Sequence, residues 1–440
     1  MNAQSQKLVP NVPKLTISHR GAERLRAGHV WVYRSDIVEA KDVSPGALVT
    51  VQEESARPTH FSDKNARPPQ PPRNSTRTRI LGTALYSSSS EIALRMISPK
   101  PVGDIEQLVR ERIRAAVAYR QRFVHDTNAY RVVFSEGDFL PGLIVDRYND
   151  MLSLQVLTQA MDSEAMRRIV VSELQETFQP RVIFERVDAR VRKLEQLTDK
   201  DSGILFARKA EGFPQSGEPF PQPPELNDQT TTEFQMNGVR FLYNALGGQK
   251  TGAFLDQREN YAAAAQYARG EALDVFCYQG GFALHLARNC GKVTGVDSSR
   301  PALEAAEQNA ALNRREIEWI EANAFDLLRD YSDAGQKYDA IVLDPPAFAK
   351  SKRDLPTALR GYKELNLRAL KMLKPDGILV SCSCSYHVGN AELLDTVAAA
   401  AVDSHRIIRI LENRGQAKDH PNVLGIPETS YLKCIILHVS

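Results

Sequence analysis

Four short apolar segments in the second half of the chain stop at polar residues of restricted type, with helical spacing between them. Residues 272–275 contain Asp274 and lead through Phe276-Cys277-Tyr278-Gln279 to a glycine pair, Gly280-Gly281, after which 283–288 has helical spacing. Residues 292–296 end at Asp297, 316–320 are followed by Asn323-Ala324-Phe325, and 338–342 run into Leu343-Asp344-Pro345-Pro346-Ala347-Phe348. Strands alternating with helices through short connections predict a doubly wound, mostly parallel α/β sheet. In such a sheet the ligand crevice lies outside the carboxyl ends of the strands. The glycine pair allows close backbone approach at a helix start, and Asp297 follows at roughly the ~20-residue interval at which an acid meets a ribose. The loop is not G-x-G-x-x-G, so a dinucleotide is disfavoured.

The proline pair after Asp344 stops its strand, removes two N–H donors and stiffens the loop, which gives the Asp344 carboxylate and the next carbonyls set directions. Phe348 offers a face for stacking. Taken alone, the same residues also describe a strand-ending turn with a capping aspartate. Residues 377–385 read as a fifth strand, whose period of two puts Cys382 and Cys384 on one face. Cys384 is nearer the carboxyl end, though a strand cysteine by itself also reads as a small buried hydrophobe.

The succession of these segments resembles class I S-adenosylmethionine methyltransferases. More narrowly, Gly248-Gln249-Lys250-Thr251-Gly252-Ala253-Phe254-Leu255-Asp256-Gln257-Arg258, the Asp344 to Phe348 run with Lys350-Ser351-Lys352, and Ser383-Cys384-Ser385 resemble the PUA-fused 23S rRNA cytosine-C5 methyltransferases. The resemblance is strong over 247–387, moderate over 13–99 and weak between. It departs from the family at Asn323, where an acid is usual, at Ala253, where an aromatic is usual, and at Tyr261, often basic.

The resemblance implies S-adenosylmethionine as cofactor. Asp274, Phe276, Gly280 and Gly281 are expected at its methionine part, Asp297 at its ribose, and Asn323, Ala324 and Phe325 at its adenine, with the Asn323 oxygen accepting from the adenine amine. Asp344 borders the same site. Lys250, Asp256, Gln257 and Arg258 are expected on the cofactor's other side, or else as an ion-pair cluster at a helix start. For the acceptor, Cys384 is the expected nucleophile and Asp344 the residue holding the cytosine edge. Pro345, Pro346 and Phe348 are expected against a flipped base, and Lys350 and Lys352 on the entering strand. Cys382 and Cys277 are read as structural, and His387 as a thiol or phosphate contact or merely a polar residue. Two alternatives stay open: a guanine methyltransferase using N7 or an exocyclic amine, which needs no cysteine, and a non-catalytic RNA-binding protein on the same fold.

A chain of 440 residues exceeds one core. The expected division is a small β-barrel PUA-like domain at 13–99 with a Pro/Arg-rich insertion at 55–79, a small α+β middle module at 100–210, a linker at 211–230, and a Rossmann-like class I methyltransferase domain at 231–440. The middle module shows no catalytic constellation and is read as positioning the two outer domains. The net charge of +2 hides an asymmetry, because residues 1–99 carry 14 Lys and Arg against 8 Asp and Glu. Lys14, Arg20, Arg24, Arg26 and Arg34 around His19, His29, Trp31 and Tyr33 suit phosphate and unpaired bases, or form a solvated face beside an anchoring Trp. Partners implied are 23S rRNA or a precursor of the large ribosomal subunit, and a second copy of the chain as a homodimer. Five cysteines without paired or metal-ligand spacing fit a reducing cytoplasm and predict no metal site, and no apolar run approaches a membrane span.

Overall fold

A computed structural model describes residues 12–40, 42–53, 78–208, 230–247 and 252–440. The tail, most of the insertion expected at 55–79, the linker up to residue 229 and Lys250 lie outside the described residues. Among the described residues the strands form four sheets. The first has the order β2-β6-β5-β4-β1-β3, from β1 (Lys14–Ile17), β2 (Trp31–Tyr33), β3 (Ile37–Glu39), β4 (Leu48–Glu53), β5 (Arg79–Tyr86) and β6 (Ile92–Ser98). In β4 burial alternates strictly, with Val49 and Val51 inward, as expected for a sheet covered on one side. Leu15, Ile17, Val32 and Leu94 complete that core, and Ile426 from the far end of the chain enters it.

The second sheet, β11-β10-β9-β8-β7, contains β7 (Ala129–Phe134), β8 (Leu143–Tyr148), β9 (Met151–Val156), β10 (Val182–Glu185) and β11 (Gly203–Ala207). Among the described residues three α-helices belong to this module, the shortest being Ala189–Leu194. In Ile105–Phe123, Asp104 accepts from the Gln107 N–H and caps the start, while Val109, Ile113, Ala116 and Val117 follow the helical period inward. Ser163 caps Glu164–Phe178. A hairpin of β12 (Thr231–Met236) and β13 (Val239–Asn244) turns at Asn237-Gly238, both with positive φ (50° and 79°), the twist a two-residue hairpin requires.

The largest sheet has the order β16-β15-β14-β17-β18-β20-β19. Its strands are β14 (Glu271–Val275), β15 (Lys292–Asp297), β16 (Glu318–Glu321), β17 (Tyr338–Leu343), β18 (Leu373–Ser383), β19 (Ile408–Arg414) and β20 (Lys433–Val439). Pairings from β16 through β18 are parallel, and β20 is antiparallel to both β18 and β19. Strand order reverses between β14 and β17, which opens a crevice above their carboxyl ends. The fifth strand differs from the expected 377–385, because β18 ends at Ser383. Residues 377–383 are all buried, so no exposed face exists for alternation to mark, and Cys384 lies in the turn beyond. No helix of the described residues is long and apolar enough to cross a membrane.

Candidate active site

After β14 the chain holds three left-handed residues, Phe276 (φ 67°), Tyr278 (φ 49°) and Gly280 (φ 83°). Two of these are not glycine, a strained backbone of the kind that persists only where the surroundings hold it. The Phe276 and Cys277 N–H groups donate to Val296 O of β15 at 2.8 and 3.0 Å. Gly281 then opens the helix Gly281–Leu286, and a Cβ there would stand 2.4 Å from the Tyr261 ring. Glycine at 281 is thus demanded by the close approach of Tyr261.

Asp274 is fully buried. Its Oδ2 accepts from the Ala283 N–H at 2.8 Å, and its Oδ1 has no hydrogen-bond partner. Burial pushes its carboxyl up to about 8, although the Ala283 bond opposes this, and Asp344 and Asp297 add to the rise. Asp297 closes β15, accepting from the Tyr278 N–H on Oδ2 and the Ser299 N–H on Oδ1, both at 2.9 Å. Asn323 accepts from Phe325 N at 3.0 Å and Asp326 N at 3.4 Å as the cap of the helix Ala324–Asp333. The oxygen expected to meet an adenine amine is therefore engaged at a helix start, for which a short polar side chain before Ala324 is well suited. Ala324 is buried and Phe325 is exposed beside it.

On the opposite rim, Gln257 donates from Nε2 to Asp344 Oδ1 at 3.0 Å and accepts from Asn260 at 2.7 Å. Asp256 accepts from the Tyr431 hydroxyl at 2.6 Å. Arg258 departs from these two. Its guanidinium is buried, donating to His125 O at 3.2 Å and to Asp419 Oδ1 at 3.3 Å. Of the two roles open for the group, Arg258 takes the ion pair, its buried guanidinium meeting Asp419 and Glu259.

The turn after β18 is joined to the Asp344 loop at several points. Cys384 Sγ lies 3.8 Å from Pro345 O, and the Ala349 N–H donates to Ser385 Oγ at 3.3 Å. Ser383 Oγ donates to the Tyr362 hydroxyl at 2.9 Å, and Ser385 Oγ shares a bond with it at 3.1 Å. Cys384 is half-buried, whereas Cys382 is fully buried opposite Cys434 in the β18–β20 register. Pro345 is buried and Pro346 exposed. Phe348 packs between Tyr362, ring centres 4.8 Å apart, and Phe325 at 5.9 Å, so it forms a wall of the loop. Lys350 and Lys352 are exposed next to it.

The structure thus brings Asp274, Gly280, Gly281, Asp297, Asp344, Gln257 and Cys384 to one end of the large sheet. Tyr362, Tyr431 and Lys433 join them without any sign in the local sequence, since each reaches the turn from a distant element. The amino-terminal cations are largely engaged. Arg20 and Arg24 converge on buried Asp36 at 2.7 and 2.8 Å, Arg26 and His19 pair with Glu53, and Arg34 donates to the carbonyls of Ser87 and Ser90. Trp31 donates to Glu136 at 3.1 Å, which anchors it to the middle module. A cavity of about 400 Å³ borders the glycine loop at Tyr278 and Gln279, but its lining includes none of Asp297, Asn323 or Asp344.

Comparison with known proteins bears on the family and the fold. Residues 217–431 match the family described as S-adenosylmethionine-dependent methyltransferase, and residues 15–59 match the PUA-like domain. A protein named Ribosomal RNA large subunit methyltransferase I from Tolumonas auensis is 38% identical over 369 residues, 82% of this chain and 88% of the relative. Its namesake from Photobacterium profundum is 34% identical over 432 residues, 96% and 98% of the two chains. Among solved structures, SMU.776, a methyltransferase complexed with SAH, superposes with a TM-score of 0.75 at 17% identity, over 97% of this chain and 100% of that one. A methyltransferase from Streptococcus mutans gives 0.74, with the same identity and coverage. These two show the fold, a PUA-like curled sheet followed by a Rossmann-like methyltransferase sheet. The residues present fit S-adenosylmethionine: the buried Asp274 Oδ1 without a partner suits the cofactor's ammonium group.

Proposed function

The chain belongs to the family of the bacterial ribosomal RNA large subunit methyltransferases I, and from that premise we propose that it methylates C5 of a cytosine in 23S rRNA through a cysteine adduct. Bound S-adenosylmethionine supplies an electrophilic methyl group. The residues of this chain have to hold the acceptor in line with that methyl and make a poor carbon nucleophile reactive. The observation that carries the reading is the placement of Cys384 beside the Asp344-Pro345 loop, with Sγ 3.8 Å from Pro345 O. Addition of the Cys384 thiolate to C6 would move the C5=C6 electron pair onto C5, which would then take the methyl as its bond to the cofactor sulfur breaks and S-adenosylhomocysteine leaves. Transfer of the C5 proton to water would return its electron pair to the C5=C6 bond and expel Cys384 as thiolate, which would release the product.

Asp344, oriented by Gln257, is assigned to the N3/N4 edge of the cytosine, where it stabilises charge as the adduct forms. Pro345, Pro346 and Phe348 would shape the space for an extruded base, and Lys350 and Lys352 would meet the backbone of the entering strand. Asp256 and Gln257 are assigned to the cofactor's far rim, Asp297 to the ribose, and Ala324 and Phe325 to the adenine. In this reading residues 13–99 form the RNA-binding unit, 100–210 the middle module and 231–440 the catalytic unit.

The test is nucleoside mass spectrometry of unmodified bacterial rRNA and of large-subunit precursor particles, after incubation with this protein and methyl-labelled S-adenosylmethionine. The reading expects label in 5-methylcytidine and no turnover by Cys384→Ala. Label in a methylguanosine, or full turnover by that variant, would replace it with attack by the base itself. Cofactor binding without transfer to any rRNA would favour a non-catalytic role.

A further inference from the structure

We propose that Lys433 is a positioning residue for the candidate nucleophile: its ammonium group holds Cys384 as a thiolate. The proposal rests on the cysteine reading above. Lys433 opens β20 and faces Ser383, the last residue of β18, across the antiparallel register. Its Nζ donates to Ser385 O at 2.7 Å and to Tyr431 O at 2.8 Å, so it is held at the turn that carries Cys384. The side chain is buried, with a relative exposure of 8%, and among the described residues no carboxylate lies within ion-pair distance of it.

A buried ammonium bonded only to neutral carbonyls is costly, since charges removed from water are normally paired. Two carbonyls use two of its three N–H groups. The charge is left to act on its surroundings, and Cys384 is among the groups that it feels. Burial pulls Lys433 down to about 8, and Cys384 and then Glu392 oppose that pull. The other groups at this point are the Tyr362 hydroxyl from the helix Leu355–Met372, raised by burial, and Asp344 from the loop after β17. Glu392 comes from the helix Asn390–Asp403. Of these, only Lys433 carries positive charge. A thiol beside a lysine ionises more readily than a free one.

A lysine that only braced the turn would have no effect on thiol ionisation, and this separates the two roles. Full-length protein is treated with iodoacetamide from pH 6 to 10, and alkylation of the Cys384 peptide is followed by mass spectrometry. The wild-type profile is expected to have its midpoint at least one pH unit below the ~8.5 of a free cysteine. Lys433→Gln keeps donors for both carbonyls but removes the charge, and should move the midpoint up by a unit or more; Lys433→Arg should leave it low. A wild-type midpoint at or above the free value, or a Gln profile that coincides with wild type, overturns the proposal. The wild-type profile decides by itself if the Gln variant does not fold. Label in 5-methylcytidine with an ordinary thiol midpoint would sink the Lys433 role and leave the cytosine reading. A low midpoint with label in a methylguanosine would do the reverse.

Discussion

Asp274 is the residue whose chemistry depends most on what is bound. An unfolded aspartate ionises near pH 4, whereas burial raises the folded carboxyl to about 8. Between those values the folded protein holds one more proton than the unfolded chain, so this group's contribution to stability is full at low pH and is lost as pH rises toward 8. Asp274→Asn cannot ionise and should remove that slope. Melting curves of ligand-free protein from pH 5 to 8.5 should therefore show the variant gaining on wild type as pH rises. Parallel curves would mean that the carboxyl is not raised.

At the scale of elements, the loop between β14 and the helix Gly281–Leu286 combines strain with close packing. The Tyr261 ring occupies the space a side chain at 281 would need. Gly281→Ala should displace Tyr261 or the helix start and weaken S-adenosylhomocysteine binding tenfold or more, measured by calorimetry, with the far-UV circular dichroism spectrum retained. Unchanged affinity would show that the helix start does not face the cofactor. The turn after β18 follows the same logic, since two serines meet the Tyr362 hydroxyl of the helix Leu355–Met372 and the Lys433 ammonium group reaches it from β20. This explains why Cys384 leaves the strand that the apolar run 377–383 would continue into.

At the scale of the molecule, residues 415–432 tie the units together. Ala417 donates to Asp256 O at 2.8 Å, Asp419 accepts from Arg131 N at 2.9 Å and from Arg258, and Arg120 donates to Asp419 O at 2.7 Å. Burial alone would raise the Asp419 carboxyl, but His420, Arg258 and the Arg131 N–H hold it well below the usual range. Ile426 is fully buried in the core of the amino-terminal sheet, and Gly425 lies against Gly28. Ile426→Ala should cost about 2–5 kcal/mol in urea unfolding. The loss should come with earlier proteolysis of the amino-terminal unit; equal stability would show that the loop merely rests on that sheet.

The alternation of apolar runs with acidic strand ends was enough to specify the parallel strands β14 to β17, their crevice and the positions of Asp274, Asp297 and Asp344, because these follow from local periodicity and strand direction, whereas the antiparallel β19 and β20 were not legible. The glycine pair was readable for the same reason. Tertiary structure alone decided the side-chain partners. Arg258, next in sequence to Gln257, turns away to Asp419, and Asn323 spends its oxygen on a helix cap. The amino-terminal arginines close on Asp36 and Glu53, and Lys433 reaches Ser385 from 48 residues away. Charged and polar side chains are satisfied by whatever group folding brings within about 3 Å, and that neighbour is set by the packing of distant elements, on which local sequence carries no information.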